Sequence, residues 1–361
     1  MHNVYLQKLK LLHYRNFQEL EINIDNNPII LIGENGSGKT NILESISLFY
    51  PGKGLRSAKL DDICQRGVES FAVYCLLQSK LGAASILINF NSKSTKRITE
   101  FNGAKIPNNE LSKFSSMIWL TPQMDGIFAS GVSDRRKFLD RLVYNFLPSH
   151  AGLVARYEYY MRERSEKLSQ EQVNENWVKV IEEKMAELSI DIATNRVKIL
   201  QDIQKEINWL DNDFPKAILS IDGVVENKIL NNYQLDIDFI KQELLMSRNR
   251  DKASNRTNFG IHKSDFIVVH KAKNVLAKLC STGEQKAMLI AIILAQINYS
   301  IRQKHSMPIL LLDEIFVHLD DKRKQYLVDF FLTVGLQLWV TATDLRGIEC
   351  LAQKAQLIQL T

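Results

Sequence analysis

An apolar tetrad, Ile29-Ile30-Leu31-Ile32, runs straight into Gly33-Glu34-Asn35-Gly36-Ser37-Gly38-Lys39-Thr40, and a segment with apolar residues at 42, 43, 46 and 49 follows. A strand covered on both faces, a G-x4-GK[ST] loop and a helix in that order are the context a phosphate-binding loop requires. The glycines let the backbone wrap closely, its N–H groups cradle phosphates, and the helix N-terminus adds a favourable dipole. In such a loop Lys39 reaches the β- and γ-phosphates, and the Thr40 hydroxyl ligates Mg²⁺. Residues Gly33, Glu34, Asn35, Gly36, Ser37, Gly38, Lys39 and Thr40 are therefore expected to bind the phosphates of a nucleotide. A Gly-rich turn carrying a surface lysine is the plainer reading, and the flanking strand and helix disfavour it.

Far downstream, Ile309-Leu310-Leu311-Leu312 ends in Asp313-Glu314. Asp313 suits a Mg²⁺ contact, directly or through water, and Glu314 suits polarising an attacking water. Alone, such a pair is more often a strand running into a solvated turn. Beside a complete phosphate loop, two carboxylates and one lysine suffice for Mg-assisted phosphoryl chemistry, which depends on positioning and charge stabilisation.

Between these elements the pattern changes. Alternation at Leu20, Ile22 and Ile24 and runs at 71–77, 85–90 and 98–101 read as short strands, with Asn102-Gly103 as a hairpin turn. From about Ser133 glycine and proline become rare. Apolar residues at 178, 181, 185, 188, 192, 199, 203, 207 and 210 predict one helix of about 36 residues, roughly 54 Å long. A helix at 149–168 would pair with it across 169–176, as a bundle or short arm. A strand is expected at Ala217–Val225, a helix at Leu235–Ser247 and a basic polar stretch at 248–260. Helix 281–303, strand 309–313, helix 321–333 and strand 336–342 close the chain. The fold class is thus α/β: one nucleotide-binding head, split in sequence, with a mainly helical lobe inserted. Its expected parts are 1–123, 124–258 and 259–361.

Charge and cysteine usage set weaker limits. Lys and Arg total 46 against 41 Asp and Glu, a formal +5 that permits nucleic-acid binding without establishing it. Cys64, Cys75, Cys280 and Cys350 lack metal-ligand spacing, which fits a reducing cytosol. No signal peptide or membrane span is expected, since no long apolar run occurs.

Ser281-Thr282-Gly283-Glu284 opens a helix, with Ser281 as N-cap and Glu284 completing a capping box. Its place before the Asp-Glu strand is similar to the signature motif of ABC-type ATPases. Together with Leu12–Phe17, Leu55–Ser57, Thr121–Gln123, Asp134–Asp140, Gly260–Phe266, the 309–320 segment and Thr341–Asp344, the chain resembles the RecF family of recombination mediators, within the ABC/SMC-like ATPases, over nearly its whole length. The resemblance implies that Gln123 senses the γ-phosphate and Mg²⁺. It also implies that Ser281 and Gly283 complete a partner's site in an ATP-dependent homodimer, and that Asp320 belongs to a D-loop with His318 and Leu319. Asp344 stands where transporter-type ATPases carry a switch histidine. Slow hydrolysis used as a switch, binding to double-stranded and gapped DNA, cooperation with RecR and RecO, and loading of RecA are the implied functions.

DNA contact has candidate residues in three basic groups: Arg135, Arg136, Lys137 and Arg141; Arg156, Arg162, Arg164 and Lys167 with Tyr157, Tyr159 and Tyr160; and Arg248, Arg250, Lys252 and Arg256. Solvated helix faces are the ordinary alternative. An SMC- or Rad50-like structural ATPase, or an ABC ATPase subunit not acting on DNA, is the alternative function. A P-loop nuclease or small-molecule kinase fits less well, leaving the signature and D-loop segments unexplained.

Overall fold

The first strands form an antiparallel pair, β1 (Tyr5–Tyr14) and β2 (Phe17–Asn23), and the apolar tetrad forms β3 (Ile29–Ile32), which leads into α1 (Lys39–Ser47). The computed structural model describes residues 4–79, 82–94, 96–231, 236–303, 307–317 and 319–360. Two compact units emerge, residues 1–125 with 300–361, and residues 126–299.

In the first unit, β4 (Ser70–Ser79), β5 (Gly82–Asn91), β6 (Arg97–Phe101) and β7 (Ala104–Ile106) extend the N-terminal pair into a sheet of order β2-β1-β4-β5-β6-β7. The Asn102-Gly103 turn forms as expected: Phe101 pairs with Ala104, and both turn residues have positive φ, 48° and 80°. A second sheet has the order β14-β3-β13-β12-β8, every ladder parallel, with β8 (Met117–Leu120), β12 (Ile309–Leu312), β13 (Leu338–Ala342) and β14 (Gln356–Gln359). Strands β8 and β12 are buried at every residue, as continuous apolar runs in parallel sheets are.

The ten-residue β1 lies outside the sequence reading, and so do two strands of this parallel sheet. The segment 336–342 is not the last strand, because β14 pairs with β3 beyond it. Its four residues, Gln-Leu-Ile-Gln, and the four of β8 are too short to carry a periodic signal.

The second unit holds α2 (Val132–Tyr144), α3 (Ser149–Ser169), α4 (Glu175–Trp209), β9 (Ala217–Asp222), α5 (Val224–Leu230), α6 (Ile237–Ser254), β10 (Asp265–His270), β11 (Val275–Leu276) and nearly all of α7 (Thr282–Arg302). Helix α4 runs unbroken for 35 residues, capped by Asn174, whose side chain accepts from the Trp177 N–H. Its stripe packs Met185, Leu188 and Ile192 in a cluster with Tyr157, Ile240 and Leu244. Helices α8 (Asp321–Val334) and α9 (Glu349–Ala352) return to the first unit.

Besides β10 and β11, which the sequence reading lacks, three of its elements change here. The strand expected at 217–225 stops at Asp222, where Gly223 turns the chain into α5. The helix expected at 235–247 starts at Ile237 behind an Asp236 cap, Leu235 lying outside the described residues. It also continues to Ser254, through half of the stretch read as basic and polar. That stretch is helical because its polar residues are buried partners: Asp251 is 3% exposed and binds Arg164, while Arg248 binds Glu182. Apolar periodicity cannot register such contacts.

Candidate nucleotide-binding site

The phosphate loop leaves the C-terminal end of β3, and Asp313 leaves the C-terminal end of β12, with β13 between the two strands. Open parallel sheets bind ligands at this edge. The backbone of the loop requires its glycines. Gly36 and Gly38 have φ of 91° and 100°, and a Cβ on Gly38 would lie 2.6 Å from the Phe17 ring. Gly33 is equally confined: its Cβ would meet Ser37 Oγ and the Leu360 carbonyl at 2.6 Å each. Lys39, 5% exposed, donates Nζ hydrogen bonds to the carbonyls of Gly33 (2.5 Å) and Glu34 (2.8 Å). Ser37 Oγ is buried and has no hydrogen-bond partner among the described residues. A cradle of this kind, with a buried ammonium, an unpaired hydroxyl and the N-terminus of α1, fits the phosphates of a nucleotide.

Three residues expected at the metal and catalytic positions converge. Thr40 Oγ1 donates to Asp313 Oδ1 at 3.0 Å, although the two are far apart in sequence. Thr341, at the end of β13, donates to the same oxygen at 2.8 Å and accepts the Glu314 N–H at 2.9 Å. One hydroxyl therefore fixes both neighbouring acids, a role the sequence reading did not give Thr341. Asp313 Oδ2 accepts no hydrogen bond among the described residues, leaving a lone-pair face for a hard cation beside the Thr40 hydroxyl. Glu314 is half-buried at φ 51°, a left-handed conformation that costs an L-residue roughly 1–2 kcal/mol. Together with Asn35 and Asp344 it lines a cavity of about 550 Å³.

A second group of residues, also without an assigned role in the sequence, holds the loop from behind. Glu44, on α1 and 1% exposed, receives Arg15 Nε (2.8 Å) and Nη2 (2.6 Å). Arg56 donates to Asn41 (2.7 Å), and Asn41 donates to Asn16 (2.7 Å). The segments Leu12–Phe17 and Leu55–Ser57 thus buttress the phosphate-loop helix. An acid inside an apolar helical stripe was the available signal.

The remaining candidates stand apart from these. Gln123 is exposed on a turn after β8, the strand beside β12. Asp320 is the exposed N-cap of α8, its side chain accepting from the Arg323 N–H at 2.9 Å, and His318 lies outside the described residues. Ser281 and Gly283 are exposed in the second unit, at the start of α7. The capping box forms: the Ser281 N–H donates to Glu284 Oε2 (3.1 Å), and the Glu284 N–H donates to Ser281 Oγ (3.4 Å). Lys273 and the Ser281 groups pull the Glu284 carboxyl down to about 2. Asp344 binds the Arg346 side chain (2.6 Å) and N–H (2.9 Å), which lowers its carboxyl to about 2.

The basic groups need correction. Arg164 is fully buried, donating to Glu182 (2.9 Å), Asp251 (2.6 Å) and the Leu244 carbonyl (2.8 Å), so it faces neither solvent nor DNA. Tyr157 is buried too, bonded to His262 Nδ1 at 3.0 Å. Arg135 is engaged bidentately with Asp265, and Arg248 with Glu182. Arg156, Arg162, Arg250, Lys252 and Arg256 are exposed.

Fold and site define a P-loop ATPase head of the ABC and SMC type, split around an inserted, mainly helical lobe. Residues 5–358 match the model for the RecF/RecN/SMC N-terminal domain. The chain is 62% identical over 360 residues to the DNA replication and repair protein RecF of Rickettsia felis, covering 100% of this chain and 99% of that one. It is 61% identical over 360 residues to RecF of Rickettsia akari, with full coverage of both. The chain belongs to the RecF family of DNA replication and repair proteins. Its fold is that of a solved structure described as the recombination mediator RecF-ATP in the RecFOR pathway, with TM-score 0.84, 22% identity, and 95% and 92% of the two chains covered. An Smc head domain from Pyrococcus furiosus, bound to a ScpA domain, aligns less closely at TM-score 0.57 and 14% identity, covering 99% and 94%. Among the described residues no helix is long and apolar enough to cross a membrane.

Proposed function

We propose that this site binds ATP with Mg²⁺ and hydrolyses it slowly, and that the bound state joins two copies of the chain on DNA. The observation that carries the reading is the hydroxyl-linked set Thr40, Asp313, Thr341 and Glu314, facing a glycine cradle with a buried lysine. Lys39 exchanges its carbonyl contacts for phosphate oxygens. Thr40 and Asp313 hold the cation. Held there, Mg²⁺ would supply positive charge against the negative charge that develops on the phosphate. Glu314 accepts a proton from the water that attacks the γ-phosphorus, and Gln123 would sense the γ-phosphate and the cation.

Ser281 and Gly283 lie exposed at a helix start, a position that suits covering the γ-phosphate of a partner copy. Leu279, 71% exposed beside them, suits a surface covered on dimerisation. Asp320, the exposed N-cap of α8, would act as a D-loop residue in that dimer. In functional terms 1–123 and 259–361 supply the two faces of the composite site, with 124–258 as the lobe. Relatives carry the description DNA replication and repair protein, and the solved likeness that of a mediator in the RecFOR pathway. Binding to duplex DNA beside gaps, together with RecR and RecO, and assistance to RecA loading follow as this chain's role.

The test is ATP turnover at fixed Mg²⁺ with and without gapped duplex DNA, alongside Lys39→Ala. Stimulation by DNA that disappears in the variant and weakens with salt is expected. Turnover indifferent to DNA refutes the coupling, and an active variant refutes the site.

A further inference from the structure

The segment Gly260–Phe266 has no part in the nucleotide site. In the second unit it forms one wall of a cavity of about 600 Å³, opposite α3. Three cations line this cavity: Arg162 from α3, Arg256 from the turn after α6, and Lys263. None of the three has an ion-pair or side-chain hydrogen-bond partner among the described residues, unlike Arg164, two residues beyond Arg162 on α3, which is saturated with partners. Glu166 is the single carboxylate in the wall.

The wall is preorganised. Asp251 accepts the Asn258 N–H (2.9 Å) and side-chain amide (2.8 Å), and its own carbonyl accepts the Arg256 N–H at 3.2 Å. His262 Nε2 meets the Thr257 carbonyl at 2.8 Å, and its Nδ1 meets Tyr157 Oη at 3.0 Å. Gly260, at φ 133°, makes the turn that brings these together; a Cβ there would lie 2.2 Å from Tyr157 Oη. Burial above all, with smaller contributions from the charges of Lys263 and Arg136, pushes the His262 imidazole down to about 4 against the opposing Thr257 carbonyl and Asp251.

Two guanidinium forks and an ammonium around a concave polar space match the oxygens of a phosphate better than a single carboxylate. We propose that this cavity seats a phosphate group of a polynucleotide strand, held by Arg162, Arg256 and Lys263. The inference rests on the DNA-binding reading above and gives it a location.

The experiment uses the full chain with ATP and Mg²⁺, and follows fluorescence anisotropy of labelled duplex DNA across a KCl series. Loss of one phosphate contact in the double variant Arg256→Ala/Lys263→Ala should flatten the log–log salt slope by about 0.9, and weaken binding about 8-fold at roughly 0.1 M salt. Unfolding temperature and DNA-free ATP turnover should stay at the parent values, since neither side chain holds a structural partner. The charge-conserving Arg256→Lys/Lys263→Arg should keep the parent slope. Equal affinity and slope in parent and alanine variant overturn the pocket while leaving DNA binding intact. A parent chain that does not bind DNA overturns both readings.

Discussion

Replacing Thr341 by valine keeps the shape of the side chain and deletes one oxygen. That oxygen donates to Asp313 Oδ1 at 2.8 Å and accepts the Glu314 N–H at 2.9 Å. A hydrogen bond to a charged group contributes about 1.5–3 kcal/mol, and an N–H left unsatisfied in a partly buried place costs about 1–3 kcal/mol. If about half of that sum appears as lost alignment of the two acids in the transition state, kcat falls about 10- to 100-fold. Thr341 acts through Asp313, so the Mg²⁺ concentration for half-maximal rate should rise, while nucleotide affinity without Mg²⁺ should not move. Thr341→Ser restores both bonds and should recover most of the rate. Phosphate release across a Mg²⁺ titration reads all three. A valine variant within about two-fold of the parent in rate and Mg²⁺ dependence would refute the assignment.

Arg164→Ala should destabilise the chain by about 3–5 kcal/mol in urea unfolding, because it leaves the buried Asp251 without its ion-pair partner and the buried Glu182 with Arg248 alone; the exposed neighbour Arg162 should tolerate the same change. His262, lowered from 6.5 to about 4, is neutral when folded, so the unfolded chain takes up its proton first as pH falls. Nothing is lost above about pH 7, and about 2 kcal/mol is lost by about pH 5, a loss that His262→Gln should lack in paired unfolding curves. Ser281→Arg should leave nucleotide binding by one copy intact and abolish ATP-dependent dimerisation in sedimentation; an unchanged dimer would remove Ser281 from the partner's site.

The head was legible in the sequence because its determinants are local. A tight turn needs glycines, a strand covered on both faces needs an apolar run, and the long helix of the lobe needs a repeating stripe. All three left direct marks at 29–40, 309–314 and 178–210. What the sequence concealed depends on contacts between distant segments. Thr341 looks like any strand threonine until β13 settles beside β12. Arg164 and Arg248 read as a basic surface until their acids arrive from α4 and α6. The four-residue β8 and β14 owe their form to pairing with neighbours rather than to any pattern of their own.

The position of β3 has a consequence for how the chain is made. Both of its hydrogen-bonded edges are filled by β13 and β14, which are synthesised last. At about 5–20 residues per second, the apolar strand leaves the ribosome roughly 15–60 s before either neighbour exists. Throughout that interval Ile29–Ile32 is an open template for pairing with other chains. Truncations that remove the last thirty or so residues should therefore yield aggregated protein rather than a monomer lacking two strands. Newly made chains also depend on whatever shields that strand until translation ends.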